Sequence, residues 1–123
     1  MIAYLSGKLL TKSPNLVVID VTKMTRAALV DSGLGTKEID RAKNMFVLGF
    51  LYWMYNRSLD NSIKFLEEKF GKKQAILDAN IKVLKAGYHY GDTTETFRTR
   101  FTVQPAKMKP GVYRNIMGNQ ATA

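Results

Sequence analysis

The chain has 123 residues, of which 46% are hydrophobic and 24% charged, which suits one folded domain and excludes an intrinsically disordered or collagen-like protein. It contains no cysteine, so disulfides, thiolate-bound zinc, iron–sulfur clusters and cysteine nucleophiles cannot be built within it. The net charge of +9 favours an anionic partner, such as nucleic acid, a phosphorylated cofactor or an acidic subunit surface.

The N-terminal residues predict a β-hairpin followed by a short helix. Residues 1–21 include alternating apolar positions, a Ser-Pro-Asn turn and the β-branched run 16–21, which together favour two antiparallel strands. In residues 22–35, Thr22 or Thr25 is a candidate N-cap for the short helix, and two glycines then end it.

Three main helices are predicted next, joined by short connections. The first begins near Thr36 and ends before a break at 56–58, and its apolar positions recur every three or four residues. A serine in that break can cap the second helix, which Gly71 ends. The third helix covers about residues 73–86 and is stopped by Gly87. Short connections predict that neighbouring helices pack antiparallel or at a corner.

The most apolar segment of the chain is residues 45–55. It is far shorter than the about 20 residues that a membrane-spanning helix needs, so it predicts a buried core helix. Gly49 within it costs about 1 kcal/mol relative to alanine, and the close approach of another backbone would explain its presence. The N-terminus also lacks the pattern of a secretory signal. We therefore expect a cytoplasmic protein without a membrane partner.

The C-terminal residues lack apolar periodicity and are interrupted by Pro105 and Pro110. Residues 91–123 are therefore predicted to form an extended tail that wraps a partner or leads into another domain. The predicted fold class is α+β, with an N-terminal β-hairpin or small sheet, three main α-helices and an irregular C-terminal tail. The corresponding segments are a β-hairpin segment over 1–21, a helical layer over 22–90 and the tail.

Motifs for catalysis are absent from the sequence. It has no G-x-S-x-G nucleophile turn, no phosphate loop and no G-x-G-x-x-G nucleotide loop. Glu67 and Glu68 are adjacent, so they point to different sides of a helix and do not make a paired-carboxylate site. His89, the single histidine, lies between two tyrosines and in no catalytic motif, which favours a structural role over a general base, a stacking surface or a pH-sensitive contact. We predict no catalytic residue and no metal site.

Basic residues supply two candidate sites for anions. Lys72 and Lys73 lie at the start of the third helix, where free backbone N–H groups favour a phosphate, although solvated lysines are the simpler alternative. In the tail, cations alternate with aromatic side chains. Such a pattern can bind single-stranded nucleic acid, or it can dock on an acidic subunit, which we favour. These tail residues are Arg98, Arg100, Lys107, Lys109 and Arg114, with Phe97, Phe101 and Tyr113.

Several strings within residues 22–123 resemble one known family. Residues 41–49, which read RAKNMFVLG, are similar to a small-residue helix in the gamma domain of 2-oxoacid:ferredoxin oxidoreductases. Residues 51–57 resemble the 2-oxoglutarate branch of that family, and residues 110–121 resemble the link from the gamma domain into the following alpha domain. Three further strings, 68–70, 79–88 and 91–95, also resemble the 2-oxoglutarate branch.

The resemblance implies a place in a larger enzyme. In that family a 2-oxoacid is oxidatively decarboxylated with coenzyme A, and ferredoxin is reduced. Thiamine diphosphate is held between the alpha and beta portions, and iron–sulfur clusters carry the electrons. The gamma domain helps to cover the coenzyme A side and builds a subunit interface. The chain would then be a non-catalytic fragment of the alpha subunit, with no cofactor of its own, packed on other domains and the beta subunit. Lys72 and Lys73 become candidates for coenzyme A phosphates because of their position at a helix start.

Residues 1–21 carry a second, shorter resemblance, to the first strands of the Holliday-junction-binding subunit of the branch-migration complex. Together, the two resemblances suggest a fused or truncated reading frame, or a hybrid. Two other functions stay open from the sequence. One is a basic nucleic-acid-binding module, and the other is an autonomous helical homo-oligomer that buries Phe46, Phe50 and Trp53.

Overall fold

The structure, a computed structural model, describes residues 12–13, 16–94 and 99–122. The helices in these residues are α1 (Val21–Ala28), α2 (Thr36–Arg41), α3 (Lys43–Met54), α4 (Asp60–Phe70), α5 (Gln74–Thr93) and α6 (Gly118–Ala121). Two strands of two residues each, β1 (Lys12–Ser13) and β2 (Leu16–Val17), pair antiparallel with Lys12 opposite Val17. Two long helices, α3 and α5, pack along each other and form the centre of the fold.

The predicted α+β fold class is wrong, because the described part of the chain is all-α. The β1–β2 ladder is too short to form a sheet layer, and most of the predicted hairpin segment lies outside the described residues. The β-branched run 16–21 supplies the reason. Val18 and Ile19 are buried, and Ile19 packs against Phe50 and Trp53 of α3, so this run joins a helical core instead of extending a strand.

A backbone-to-backbone contact sets the distance between α3 and α5. A Cβ atom added at Gly49 would lie 1.9 Å from the carbonyl oxygen of Leu84, and one added at Gly87 would lie 2.0 Å from the carbonyl oxygen of Phe46. Neither position can hold a side chain at this separation, which confirms the close approach expected at Gly49. The two helices therefore cross with main chain against main chain.

Helix α5 continues beyond the predicted stop at Gly87 and ends at Thr93. Gly87 lies within the helix instead of ending it, and its lack of a side chain allows α3 to approach closely. The extension carries Tyr90, whose ring centroid lies 5.6 Å from that of Phe46, and burial raises the pKa of its hydroxyl. It also carries Gly91, where an added Cβ would lie 2.3 Å from the Trp53 ring. Packing against α3 thus outweighs the low helix propensity of two glycines.

Helices α1 and α4 bury apolar side chains against the α3–α5 pair. Val21 of α1 and its C-cap residue Leu29 join a buried cluster with Phe46, and Leu66 of α4 packs with Leu77 and Leu84. None of the helices in residues 12–13, 16–94 and 99–122 combines the length and apolarity needed to span a membrane.

The ends of the short helices differ partly from the sequence-based prediction. The N-cap of α1 is Asp20, whose carboxylate accepts a hydrogen bond from the Lys23 N–H at 2.9 Å, instead of Thr22 or Thr25. Thr25 is fully buried in α1. The helix predicted from Thr36 is divided at Ala42 into α2 and α3.

An ion pair joins α1 to α2. The guanidinium of Arg26 donates two hydrogen bonds to the carboxylate of Asp40, at 2.9 and 2.8 Å. This bidentate geometry is the strong form of the interaction. The hydrogen bond from Arg26 lowers the pKa of Asp40 below its usual value, although both side chains face water.

Substituting Gly87 with alanine tests the helix contact. Alanine raises helix propensity by about 1 kcal/mol, but the new Cβ would overlap the Phe46 carbonyl and force the helices apart. We expect Gly87→Ala to lower the free energy of unfolding by about 2 kcal/mol, as measured by urea denaturation. The matched control is Gly118→Ala in α6, where the added Cβ meets nothing within 4 Å. Equal stability of the two variants would contradict the contact.

The Arg26–Asp40 pair predicts a pH dependence. A carboxyl whose pKa is lowered in the folded state contributes stability above its unfolded pKa, and the contribution is lost as pH falls through the lowered value. We expect Asp40→Asn to reduce the melting temperature at pH about 6, and we expect this difference from the parent protein to shrink as the pH falls below the usual aspartate pKa of about 3.9. Asp31→Asn, at an exposed aspartate outside the pair, is the control. A difference in melting temperature between Asp40→Asn and the parent protein that stays constant across this pH range would contradict the ion pair.

Candidate functional site

A cavity of about 260 Å³ lies where three helix ends meet. The end of α2 contributes Arg41, the end of α4 contributes Phe70, and Lys73 is the residue before α5. The turn between α4 and α5 is tight, because the Lys73 N–H donates to the Phe70 carbonyl at 2.7 Å. The other residues lining the cavity are Leu34, Glu38, Ala42, Ile76, Ala79 and Asn80.

The cavity has apolar walls and a polar edge. Arg41 and Lys73 each bring a positive charge, and the start of α5, which is the positive end of the helix dipole, adjoins the cavity. Glu38 is partly engaged, since its carboxylate accepts a hydrogen bond from the Gly35 N–H at 3.3 Å. Asn80 donates from its amide nitrogen to the Ile76 carbonyl at 2.7 Å, which leaves its side-chain oxygen as an acceptor. This arrangement suits an anionic ligand with an apolar portion.

Lys72 and Lys73, the two residues predicted to bind phosphate, take different positions relative to the cavity. Both are exposed and lie at the start of α5, as the sequence indicates. Lys73 lines the cavity, whereas Lys72 does not and lies on a more open depression over residues 68–73. Their role in binding phosphate stays a prediction.

Sequence reasoning missed Arg41 and Asn80 as cavity residues. Asn80 carried a signal, because it is a polar residue at a position of the apolar stripe of α5. Arg41 carried none, since its approach to the start of α5 depends on how α2 folds back on the α3–α5 pair.

The other chemical candidates stay apart from the cavity. His89 is exposed on α5 and meets Tyr88 edge-on at 6.0 Å between ring centroids. Glu67 and Glu68 are exposed on α4. In the described ranges, no three carboxylate or histidine side chains converge in a way that could hold a metal ion.

A second distinctive site lies where the C-terminal residues return to the end of α3. The Arg100 side chain donates to the Trp53 carbonyl at 3.1 Å and to the Asn56 side-chain oxygen at 3.0 Å, and it lies over the Trp53 ring at 5.3 Å. The Phe101 N–H donates to the Met54 carbonyl at 2.7 Å. These carbonyls belong to the last turn of α3, where intrahelical donors are missing and a positive charge is favoured. Arg100 therefore anchors the tail to the helical core.

Trp53 is the single tryptophan of the sequence, so its fluorescence reports on this anchor. We expect Arg100→Gln to expose the Trp53 ring, shift its emission to longer wavelength and increase acrylamide quenching. Arg114→Gln, in the exposed part of the tail, serves as the control because it should leave both signals unchanged. Identical spectra for Arg100→Gln and the parent protein would show that Arg100 does not cover the ring.

Comparisons with known proteins identify the family. Residues 5–90 match the family described as pyruvate ferredoxin/flavodoxin oxidoreductase. The chain is also 48% identical over 105 residues to 2-oxoglutarate oxidoreductase subunit KorA of Mycobacterium tuberculosis (strain ATCC 25618 / H37Rv). That alignment covers 85% of this chain and 16% of the relative, so the chain spans about a sixth of the relative's length. No solved structure matches the chain.

The comparisons also bear on the N-terminal segment. The family match begins at residue 5, within the residues that resemble the Holliday-junction-binding subunit, and neither comparison supports that second resemblance. The match covers more than half of the chain and includes helices α1 to α4 and most of α5. The chain therefore belongs to the pyruvate ferredoxin/flavodoxin oxidoreductase family.

Proposed function

We propose that the chain is a structural and interaction part of the alpha subunit of a 2-oxoglutarate:ferredoxin (acceptor) oxidoreductase, namely the helical layer of its gamma domain. The complex would act in the cytoplasm and oxidatively decarboxylate a 2-oxoacid with coenzyme A. The observation that carries this proposal is the 48% identity to the KorA subunit over 85% of the chain. Family membership favours this function over a nucleic-acid-binding module.

The chemistry of the complex would be supplied by other parts of it. Because the sequence has no cysteine, it cannot provide the thiolates of an iron–sulfur cluster. The α3–α5 pair instead offers a rigid scaffold on which neighbouring domains and a beta subunit can pack. Thiamine diphosphate and the clusters would be held by those partners.

Purification through an affinity tag on this chain, from its source cells, tests the proposal. We expect a beta subunit to co-purify and the preparation to reduce a viologen dye only when 2-oxoglutarate and coenzyme A are both present. The chain purified alone is expected to be inactive. The Gly87→Ala variant should lower the yield of the complex, whereas Gly118→Ala should not. Purification without any oxidoreductase subunit would refute the proposal.

Coenzyme A phosphates are the ligands that we assign to the basic edge of the cavity. Arg41 and Lys73 fit this group because they place two positive charges, against one negative charge from Glu38, beside apolar walls. Lys72 adds a third positive charge on the adjoining turn. When bound, coenzyme A supplies the thiol that accepts the acyl group. The role of these residues is to hold its phosphates.

The cavity predicts unequal effects for the two lysines. In the purified complex, Lys73→Ala should raise the KM for coenzyme A about fivefold with kcat unchanged, which corresponds to about 1 kcal/mol of uniform binding. Lys72→Ala should raise it less than about twofold, because Lys72 does not line the cavity. Equal effects of the two substitutions would contradict the assignment.

A further inference from the structure

The exposed residues 102–116, here called the tail segment, have an unusual composition for a surface. They include three cations, Lys107, Lys109 and Arg114, and no acidic residue. Val112 is fully exposed, and the other large apolar side chains are about half exposed. Those side chains are Val103 at 56%, Met108 at 57%, Tyr113 at 59% and Ile116 at 52%. Exposed apolar residues gathered in one segment are typical of an interaction site.

The backbone of the tail segment has no helix or strand, bends at residues 110–111 and is largely unpaired. Its one backbone hydrogen bond within the described residues joins the Met108 N–H to the Ala106 carbonyl at 3.0 Å. Pro105 and Pro110 restrict the unbound conformations, so ordering on a partner costs less entropy than it would for a flexible chain. The Arg100 anchor also fixes where the segment leaves the helical core. The backbone groups and exposed side chains of the segment are therefore available to a partner.

The surface that covers the tail segment is not expected to be the helical core of the same chain or of a second copy, because the charges do not match. Residues 16–94 carry 12 basic and 9 acidic side chains, a net of +3, so they repel a segment of three cations. An acidic surface is the complementary one, and it must come from a different molecule or a different domain.

The apolar side chains distinguish a protein partner from nucleic acid. Single-stranded nucleic acid is bound by aromatic platforms on which bases stack. Most of the exposed apolar residues here are aliphatic, and the Tyr113 hydroxyl is engaged in a hydrogen bond to the Lys109 carbonyl. Aliphatic side chains need apolar pockets, which a protein surface provides. We propose that the tail segment is a docking strand, meaning a segment of chain without helix structure that binds an acidic protein surface with apolar pockets.

A photo-crosslinking amino acid at Val112, in the assembly purified through a tag on this chain, tests the docking strand. The matched control site is Val30, which is 75% exposed after α1. We expect Val112, and not Val30, to crosslink to another protein or domain, at a peptide rich in Asp and Glu. Raising the salt from about 0.1 M to about 0.5 M should reduce the crosslink yield several-fold, because exposed charge attraction is screened.

Charge reversal provides a second measurement. The triple variant Lys107→Glu, Lys109→Glu, Arg114→Glu should reduce the Val112 crosslink yield at least about tenfold. The matched triple variant Lys64→Glu, Lys82→Glu, Lys85→Glu, at exposed lysines of α4 and α5, should not.

Four crosslink results would overturn the docking strand. They are crosslinks only to the helical core of the same chain or a second copy, a yield abolished by nuclease, a target peptide without acidic residues, and a yield that survives charge reversal of the tail segment. Isolation of the chain without a partner would also overturn it. Viologen reduction is a separate readout, so an active assembly with any of these crosslink results would refute the docking strand and leave the proposed function intact.

Discussion

The contact of Gly49 with Leu84 and of Gly87 with Phe46 is the constraint on which the rest of the fold depends. It brings two main chains together without intervening side chains, so it fixes how α3 and α5 cross. The aromatic side chains of α3 then lie beside the C-terminal part of α5, where Phe50 contacts Tyr90 and the Trp53 ring packs against Gly91. Helices α1 and α4 then add apolar side chains to a pair whose geometry is already determined.

Both candidate sites lie at helix ends on this central pair. The cavity forms where α2 and α4 end near the start of α5, so its two cations come from positions 32 residues apart in sequence. The tail anchor forms at the opposite end of α3, where late residues satisfy carbonyl groups of its last turn. The chain thus has a ligand-sized cavity beside the start of one helix, and its own tail satisfies the last carbonyl groups of another.

The sequence predicts the helices well where local signals agree with packing. Gly71 ends α4, a break occurs at 56–58, and the close backbone approach expected at Gly49 is confirmed. The sequence misleads where one residue type can have two structural roles. Gly87 has the composition of a helix stop, but its function is to admit a neighbouring backbone, and only the three-dimensional contact distinguishes the two.

The same limit applies to fold class and to the cavity. The run at 16–21 has the composition of a strand, yet Ile19 is buried against aromatic residues of α3, which are distant in sequence. Lys73 could be assigned to a helix start from sequence, because that property is local. Arg41 and Asn80 could not be assigned to the cavity, because it forms only where α2, the end of α4 and the start of α5 come together in the folded chain.

The Arg100 anchor has a consequence for folding during synthesis. The carbonyl of Trp53 is bound by a side chain 47 residues later in the chain. The last turn of α3 is therefore completed only after residues 100 and 101 have left the ribosome, well after α3 itself has emerged. Until then its C-terminal carbonyls are bound by water and by nearby backbone donors, and the Trp53 ring lacks its arginine cover. The central helix is among the first elements synthesised and among the last to be finished.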